Sequence, residues 1–272
     1  MAIPHSDLLR LAKELDNAMR EGRERERLTV QFAQLSPDDA YSIQEAGVEL
    51  RLSRGEKVIG YKMGLTSKAK REQMNLHSPI YGVLTDAMEV RDGVFKLAGG
   101  PLPTIHPKIE PEIAFFVEKE LKGVVSFDQA LDACGWVAPA MEILDSRYVG
   151  FKYFSLPDVI ADNASSSYFA LSPRRFSPRE VDLADLEMVI EARDASGAIV
   201  ETQRGSSRDI SDHPVNSLIQ QVALLDHRGL SLPAGSLVLA GAATQAIPLQ
   251  AGQSVRLRVA GLGEFEVRTK AV

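Results

Sequence analysis

A single cysteine, Cys134, stands in the chain, which excludes an internal disulfide and predicts a reducing compartment. No apolar run approaches the roughly 20 residues that cross a bilayer. The stretch from Met1 to Asn17 carries charges throughout and lacks the apolar centre of a signal peptide. A cytoplasmic protein with no membrane partner is the expectation. Excess positive charge is missing too: the formal net charge is -6 and the isoelectric point about 5.5, which argues against a nucleic-acid surface. Gly-x-Gly-x-x-Gly, P-loop and Gly-x-Ser-x-Gly sequences are absent, so dinucleotide binding, P-loop phosphoryl transfer and a nucleophile elbow lose their support. The histidines, His5, His77, His106, His213 and His227, show no metal-ligand spacing. Repeats and low-complexity tracts are absent as well.

What is present suits a globular enzyme. The 272 residues are 44% hydrophobic and 25% charged, enough for a core and too mixed for a disordered or fibrous chain. The opening is helical. Ser6 is a candidate cap for a helix carrying Leu8, Leu11, Leu15 and Met19, and the charge run Arg20 to Arg27 continues or frays it as a solvated face. Ser36-Pro37-Asp38-Asp39 starts a second helix, which Gly55 stops.

From Lys57 the texture becomes strand-like. Val58 to Gly64 reads as a strand, and Ser67 as the cap of a short helix through Met74. Asp92-Gly93 and Ser196-Gly197 read as hairpin turns. Ser126 to Gln129 is a capping-box pattern, Pro214 to Arg228 an amphipathic helix, and the tail from Ser236 a set of Gly-punctuated strands. Strands and helices do not alternate regularly, so the predicted class is α+β, with a helical cap over residues 1–56 and a β-rich catalytic domain over 57–272.

One stretch holds the chemistry. In Lys108-Ile109-Glu110-Pro111-Glu112-Ile113, period-two alternation puts both glutamates on one strand face, about 6 to 7 Å apart at Cα. Such alternation also describes a solvated face opposite a core face. Glu142, after the apolar run Trp136 to Met141, favours the other reading, because a carboxylate in apolar surroundings is normally paired or bound to metal. Three acids without His or Cys suit Mg2+ better than zinc.

Further motifs follow in order: Gly60-Tyr61-Lys62-Met63-Gly64-Leu65-Thr66, Pro79-Ile80-Tyr81-Gly82-Val83-Leu84, Glu110-Pro111-Glu112-Ile113-Ala114-Phe115, Pro139-Ala140-Met141-Glu142, Asp145-Ser146-Arg147 and Ala161-Asp162-Asn163-Ala164-Ser165. This series resembles the 2-hydroxypentadienoate hydratase and 4-oxalocrotonate decarboxylase family of meta-cleavage aromatic catabolism, within the fumarylacetoacetate hydrolase superfamily. The resemblance runs from about residue 6 to 268.

It implies a β-rich roll behind a helical N-terminal part, with Glu110, Glu112 and Glu142 as ligands of Mg2+ or Mn2+. It also implies Lys62 as the active-site lysine and Ser165 as the contact for the substrate carboxylate, with Asp162 and Asn163 shaping that loop. Arg147 is either a further substrate contact or, with Asp145, an ion pair bracing the loop. The implied partners are a small 2-oxo dicarboxylic acid, a second copy of the chain and a homologous hydratase.

Hydratases of the family tend to carry Gln-Pro before the first glutamate motif, an acid after the proline matching Pro79, and Asp-Trp after the Ser-Arg pair. Here stand His106-Pro107, the apolar Ile80 and Tyr148 to Tyr153, closer to the decarboxylase pattern. Hydration needs a positioned water, whereas loss of CO2 is helped by a dry pocket, and Ile80 suits the second. The expected activity is decarboxylation of 2-oxohex-3-enedioate. Hydration of 2-hydroxypenta-2,4-dienoate and a non-catalytic partner role are the alternatives. His77, Asn75 and the charged segment from Arg204 to Asp212 depart from the family pattern and leave the accepted acid open.

Overall fold

The computed structural model describes residues 3–67, 78–97, 102–151 and 155–270. Helices α1 (His5–Glu21), α2 (Leu28–Gln31) and α3 (Pro37–Ser53) precede β1 (Val58–Gly64), β2 (Ile80–Thr85), β3 (Val94–Lys96) and β4 (Lys108–Val117). Then come α4 (Phe127–Ala133), β5 (Cys134–Leu144), α5 (Leu156–Ala161), β6 (Ser166–Leu171), β7 (Glu187–Arg193) and β8 (Ile199–Ser206). The chain closes with α6 (Pro214–His227), β9 (Ser236–Leu239), β10 (Ile247–Pro248), β11 (Ser254–Val259) and β12 (Gly263–Lys270).

Among the described residues these strands build two sheets. The first runs β2-β1-β9-β4-β5-β6, with β10 paired to β4, and the second runs β3-β12-β11-β7-β8. The pairing of β4 with both β5 and β9 makes it the central strand of the first sheet. Its neighbours explain its sequence: Ile109, Ile113 and Phe115 are fully buried, as a central strand packed on both faces requires. The α+β class and the β-roll with its helical N-terminal part stand as read from sequence. No helix among the described residues is long and apolar enough to cross a membrane.

Local signals succeed where the partner is local. Ser36 and Asp39 form a reciprocal capping box with Pro37 in the first turn, and Ser126 and Gln129 form another. Ser196-Gly197 joins β7 to β8 as an antiparallel pair. Two expectations need correction and a third is narrowed. α1 starts at His5 behind Pro4, so Ser6 lies inside the helix and caps nothing. Of the two courses open to the charge run, continuing the helix or fraying it, the helix ends: Gly22 closes α1 in the left-handed region and Arg25 exchanges backbone hydrogen bonds with Arg147 and Val149. Asp92-Gly93 makes a turn but no hairpin: β3 pairs in parallel with β12, while Glu89 bridges to Phe169. The short helix expected after the Ser67 cap, through Met74, falls outside the described residues, as do Asn75 and His77.

The N-terminal helices are wedged against the first sheet. Gln44 Nε2 on α3 donates to Tyr81 O at 3.0 Å and Ile160 O at 2.9 Å. Arg51 Nη2 donates to Thr85 Oγ1 at 2.7 Å. Leu11, Ile43, Ile80 and Ile113 belong to one buried apolar cluster.

Candidate metal centre

The antiparallel register of β4 and β5 places Glu110 directly opposite Glu142, and Glu112 follows on the same face of β4. Like charges facing each other across strands are destabilising. Here they are also withdrawn from water: Glu112 and Glu142 are fully buried, and Glu110 is half-buried. One carboxylate oxygen from each of the three lies within 4.8 Å of the others.

Each acid is held differently. Glu112 Oε2 accepts from the Gly241 amide at 2.7 Å, whereas its Oε1 is buried and has no hydrogen-bond partner. Burial, with the charges of Glu142 and Glu110, pushes the Glu112 carboxyl well above the usual carboxylate range. Glu142 Oε1 accepts from Ser166 Oγ at 2.8 Å and Oε2 from Lys62 Nζ at 3.1 Å. An orphaned buried carboxylate oxygen beside two more carboxylates is costly unless a cation sits among them. An all-oxygen donor set fits Mg2+ or Mn2+.

Lys62 arrives on β1, whose Gly60 lies so close to β9 that a Cβ there would collide with the Leu237 carbonyl. On the other side of β1, Gly82 on β2 meets the turn Asn163–Ser165, where a Cβ would stand 2.6 Å from Asn163 O. In that turn Asn163, Ala164 and Ser165 have φ of 51°, 52° and 57°, three L-residues in succession in the left-handed region. The Asn163 side chain secures it, accepting from Val83 N at 2.7 Å and donating to Val83 O at 2.9 Å.

A cavity of about 570 Å³ opens beside the acids. Lys62, Leu65, Ile80, Lys108, Glu110 and Ala164 line it. Asp162 and Arg147 do not; they border a separate cavity of about 50 Å³ against α1 and α3. Arg147 is committed to the turn. Its Nε donates to Asp162 Oδ1, Nη1 to Asp145 O at 2.6 Å and Nη2 to Asp162 O at 2.5 Å. These are the bonds of a brace, with Asp162 rather than Asp145 as the carboxylate partner. Burial lifts the Asp162 pKa to about 6 against the pull of Arg147. Asp145 instead accepts from the amides of Ile105 and His106 at 2.8 and 2.6 Å. Ser165 is buried, its amide donating to Asp162 O and its carbonyl accepting from Asp145 N.

Sequence reasoning brought Glu110, Glu112, Glu142 and Lys62 together correctly as a cluster, and placed Ile80 on the same cavity. It missed Ser166 and Gly241, which hold the acids, and Lys108. The divergent charges lie elsewhere: Arg204 pairs with Glu187 and Arg208 with Asp185, all well exposed.

Residues 67–270 match the family model for the C-terminal part of fumarylacetoacetate (FAA) hydrolase. The chain is similar to a 4-oxalocrotonate decarboxylase from a Pseudomonas species, at 41% identity over 96% of this chain and 97% of that protein. A 2-hydroxyhexa-2,4-dienoate hydratase of Comamonas testosteroni is 34% identical over 93% of this chain and 94% of its own. Among solved structures, the 4-oxalocrotonate decarboxylase of Pseudomonas putida G7, complexed with magnesium and adipate, superimposes with a TM-score of 0.91 at 35% identity, covering 98% of this chain and 99% of the other.

Proposed function

Because the chain belongs to the fumarylacetoacetate hydrolase family, we propose that it is a magnesium-dependent carboxy-lyase that converts 4-oxalocrotonate (2-oxohex-3-enedioate) to 2-hydroxypenta-2,4-dienoate. The observation that carries this reading is the unpartnered, buried Oε1 of Glu112 within a three-carboxylate cluster at the edge of a large cavity. Glu110, Glu112 and Glu142 would hold the ion. When bound, a divalent cation of this kind grips a 2-oxo acid and withdraws the negative charge that develops as the distal carbon-carbon bond breaks.

The chain's own groups do the rest. Lys62 Nζ, 3.1 Å from Glu142 Oε2, sets a positive charge beside the acids and on the cavity wall, where it meets the anionic substrate. Ser166 and Gly241 fix the rotamers of Glu142 and Glu112 from behind. Ile80 and Leu65 make part of the wall apolar and keep water from the conjugated chain, which favours loss of CO2 over hydration. Ala164 reaches the cavity, while Arg147, Asp162 and Asn163 hold the turn that presents it. The proposal extends to assembly: at least a dimer of this chain, and association with a homologous hydratase. Sedimentation of the protein alone and mixed with such a hydratase tests both.

Incubation of the purified protein with Mg2+ and 2-oxohex-3-enedioate should release CO2, and Glu112→Ala should abolish that release while leaving the circular dichroism spectrum in place. Turnover by Glu112→Ala with added Mg2+ would contradict the ligand role. Hydration of the dienoate without CO2 release would make the protein a hydratase.

A further inference from the structure

We propose that Lys108, steadied by the ring of Phe151, binds the second carboxylate of a dicarboxylic substrate and so gives the cavity its preference for a dianion over a monoanion; this rests on the metal-centre reading above. Lys108, Glu110 and Glu112 occupy one face of β4, so the lysine stands one alternate position beyond the acids, about 6 to 7 Å along the strand. Among the described residues lining the cavity, the cations are Lys62 and Lys108. Lys62 is engaged with Glu142.

The Lys108 ammonium lies 4.3 Å from the centroid of the Phe151 ring. A ring face attracts the cation through its quadrupole and orients it without consuming it, unlike a carboxylate, which would cancel its charge. Phe151 adopts φ 51°, unusual for so bulky a residue, after Gly150 at φ 68°, and is itself buried. The backbone accepts an unfavourable conformation to set this ring beneath the lysine.

Charge accounting points the same way. Three ionised carboxylates, one divalent cation and Lys62 together come to neutrality, so Lys108 is the lining charge left over for a second carboxylate on the substrate. A leaving carboxylate sheds its charge as CO2 departs. An ammonium there therefore stabilises the bound acid more than the transition state, and its loss should raise KM while kcat holds or rises.

The test uses the full chain loaded with Mg2+ and two chelating acids that differ only at the far end, 2-oxoadipate and 2-oxohexanoate, read as competitive inhibitors and by calorimetry. The unaltered protein should bind 2-oxoadipate about tenfold to a hundredfold more tightly, the range of a charge-assisted contact. Lys108→Met should collapse that ratio, Lys108→Arg should keep it, and Phe151→Leu should reduce it with rescue by Phe151→Trp. Equal binding of the two acids by the unaltered protein, or an undiminished ratio in Lys108→Met, would overturn the assignment while leaving the metal centre intact. Failure of both acids to bind in the presence of Mg2+ would overturn the metal-centre reading together with it. A variant that merely unfolds loses both ligands alike, and Phe151→Leu then decides the matter.

Discussion

Ala164 sits at φ 52° and ψ 34° between two residues that share its left-handed backbone. For an L-residue that conformation costs about 1 to 2 kcal/mol. The buried Arg147 and Asp162 pair and the Asn163 amide hold the turn against that cost. Ala164→Gly should relieve it, offset in part by the greater freedom of glycine in the unfolded chain, for a net gain of up to about 1 kcal/mol in urea unfolding. The same change removes a methyl from the cavity wall and loosens the turn, so kcat/KM should fall several-fold. Loss of stability in that variant would mean the turn is not strained.

Glu112 yields a second prediction at this scale. Its raised pKa in the metal-free fold means that, at and below that value, Mg2+ competes with a proton, so affinity should weaken as pH falls through it. Calorimetry in buffers of different ionisation enthalpy should show proton release. The sign for stability follows from the same shift. The native state holds the proton more tightly than the unfolded chain, so this contribution is fully present below the unfolded value and lost as pH rises through the folded one. Metal-free protein should therefore lose this contribution as pH rises through the raised Glu112 value, and magnesium should reverse that.

The acids were legible because period-two spacing on a strand fixes their face, and because Glu142 stood in an apolar run. Ser166 and Gly241 were not. Each reaches its acid from an element far away in sequence, Ser166 from β6 to Glu142 and Gly241 from beyond β9 to Glu112, and no local spacing encodes that.

Strand β1 is the element that delivers Lys62, and its fit depends on Gly60. A Cβ at that position would collide with the Leu237 carbonyl, which lies in β9 between β1 and β4. Gly60→Ala must push β1 away from β9, costing about 1 to 3 kcal/mol as overpacking, or more if pairing breaks. Because Lys62 is two residues on, the displacement should also lower kcat beyond the stability loss; a variant with lower melting temperature but unchanged kcat would uncouple β1 position from catalysis. At this scale the sequence speaks clearly only for local rules. The capping boxes at Ser36 and Ser126 involve partners three residues apart, so they read out directly. The Asp92-Gly93 turn was equally visible, yet the partner of β3 is β12, some 170 residues later, and no turn chemistry encodes that choice.

Across the whole molecule, the helical part over residues 1–56 and the strands beyond it were read from sequence as a cap and a catalytic domain. The contacts between them are of the kind found inside one core. Gln44 bonds two carbonyls of the later part, the Thr29 amide donates to Asp158 Oδ1 at 3.1 Å, and Arg51 reaches Thr85. Removing the helices would strand these polar groups and expose Tyr81, whose ring stacks on Tyr41 of α3 at 4.6 Å between centroids. We therefore expect the two parts to unfold as one cooperative unit, with calorimetric and van't Hoff enthalpies equal in differential scanning calorimetry. Magnesium binds the native state alone and should shift that single transition upward. At a hundredfold excess over Kd the gain is about 2.7 kcal/mol. Because Glu110, Glu112 and Glu142 all lie on β4 and β5, independent parts would instead give two transitions with only the later part responding to metal. That outcome would restore a separable cap, and the helices would then owe their position to docking rather than to a shared core.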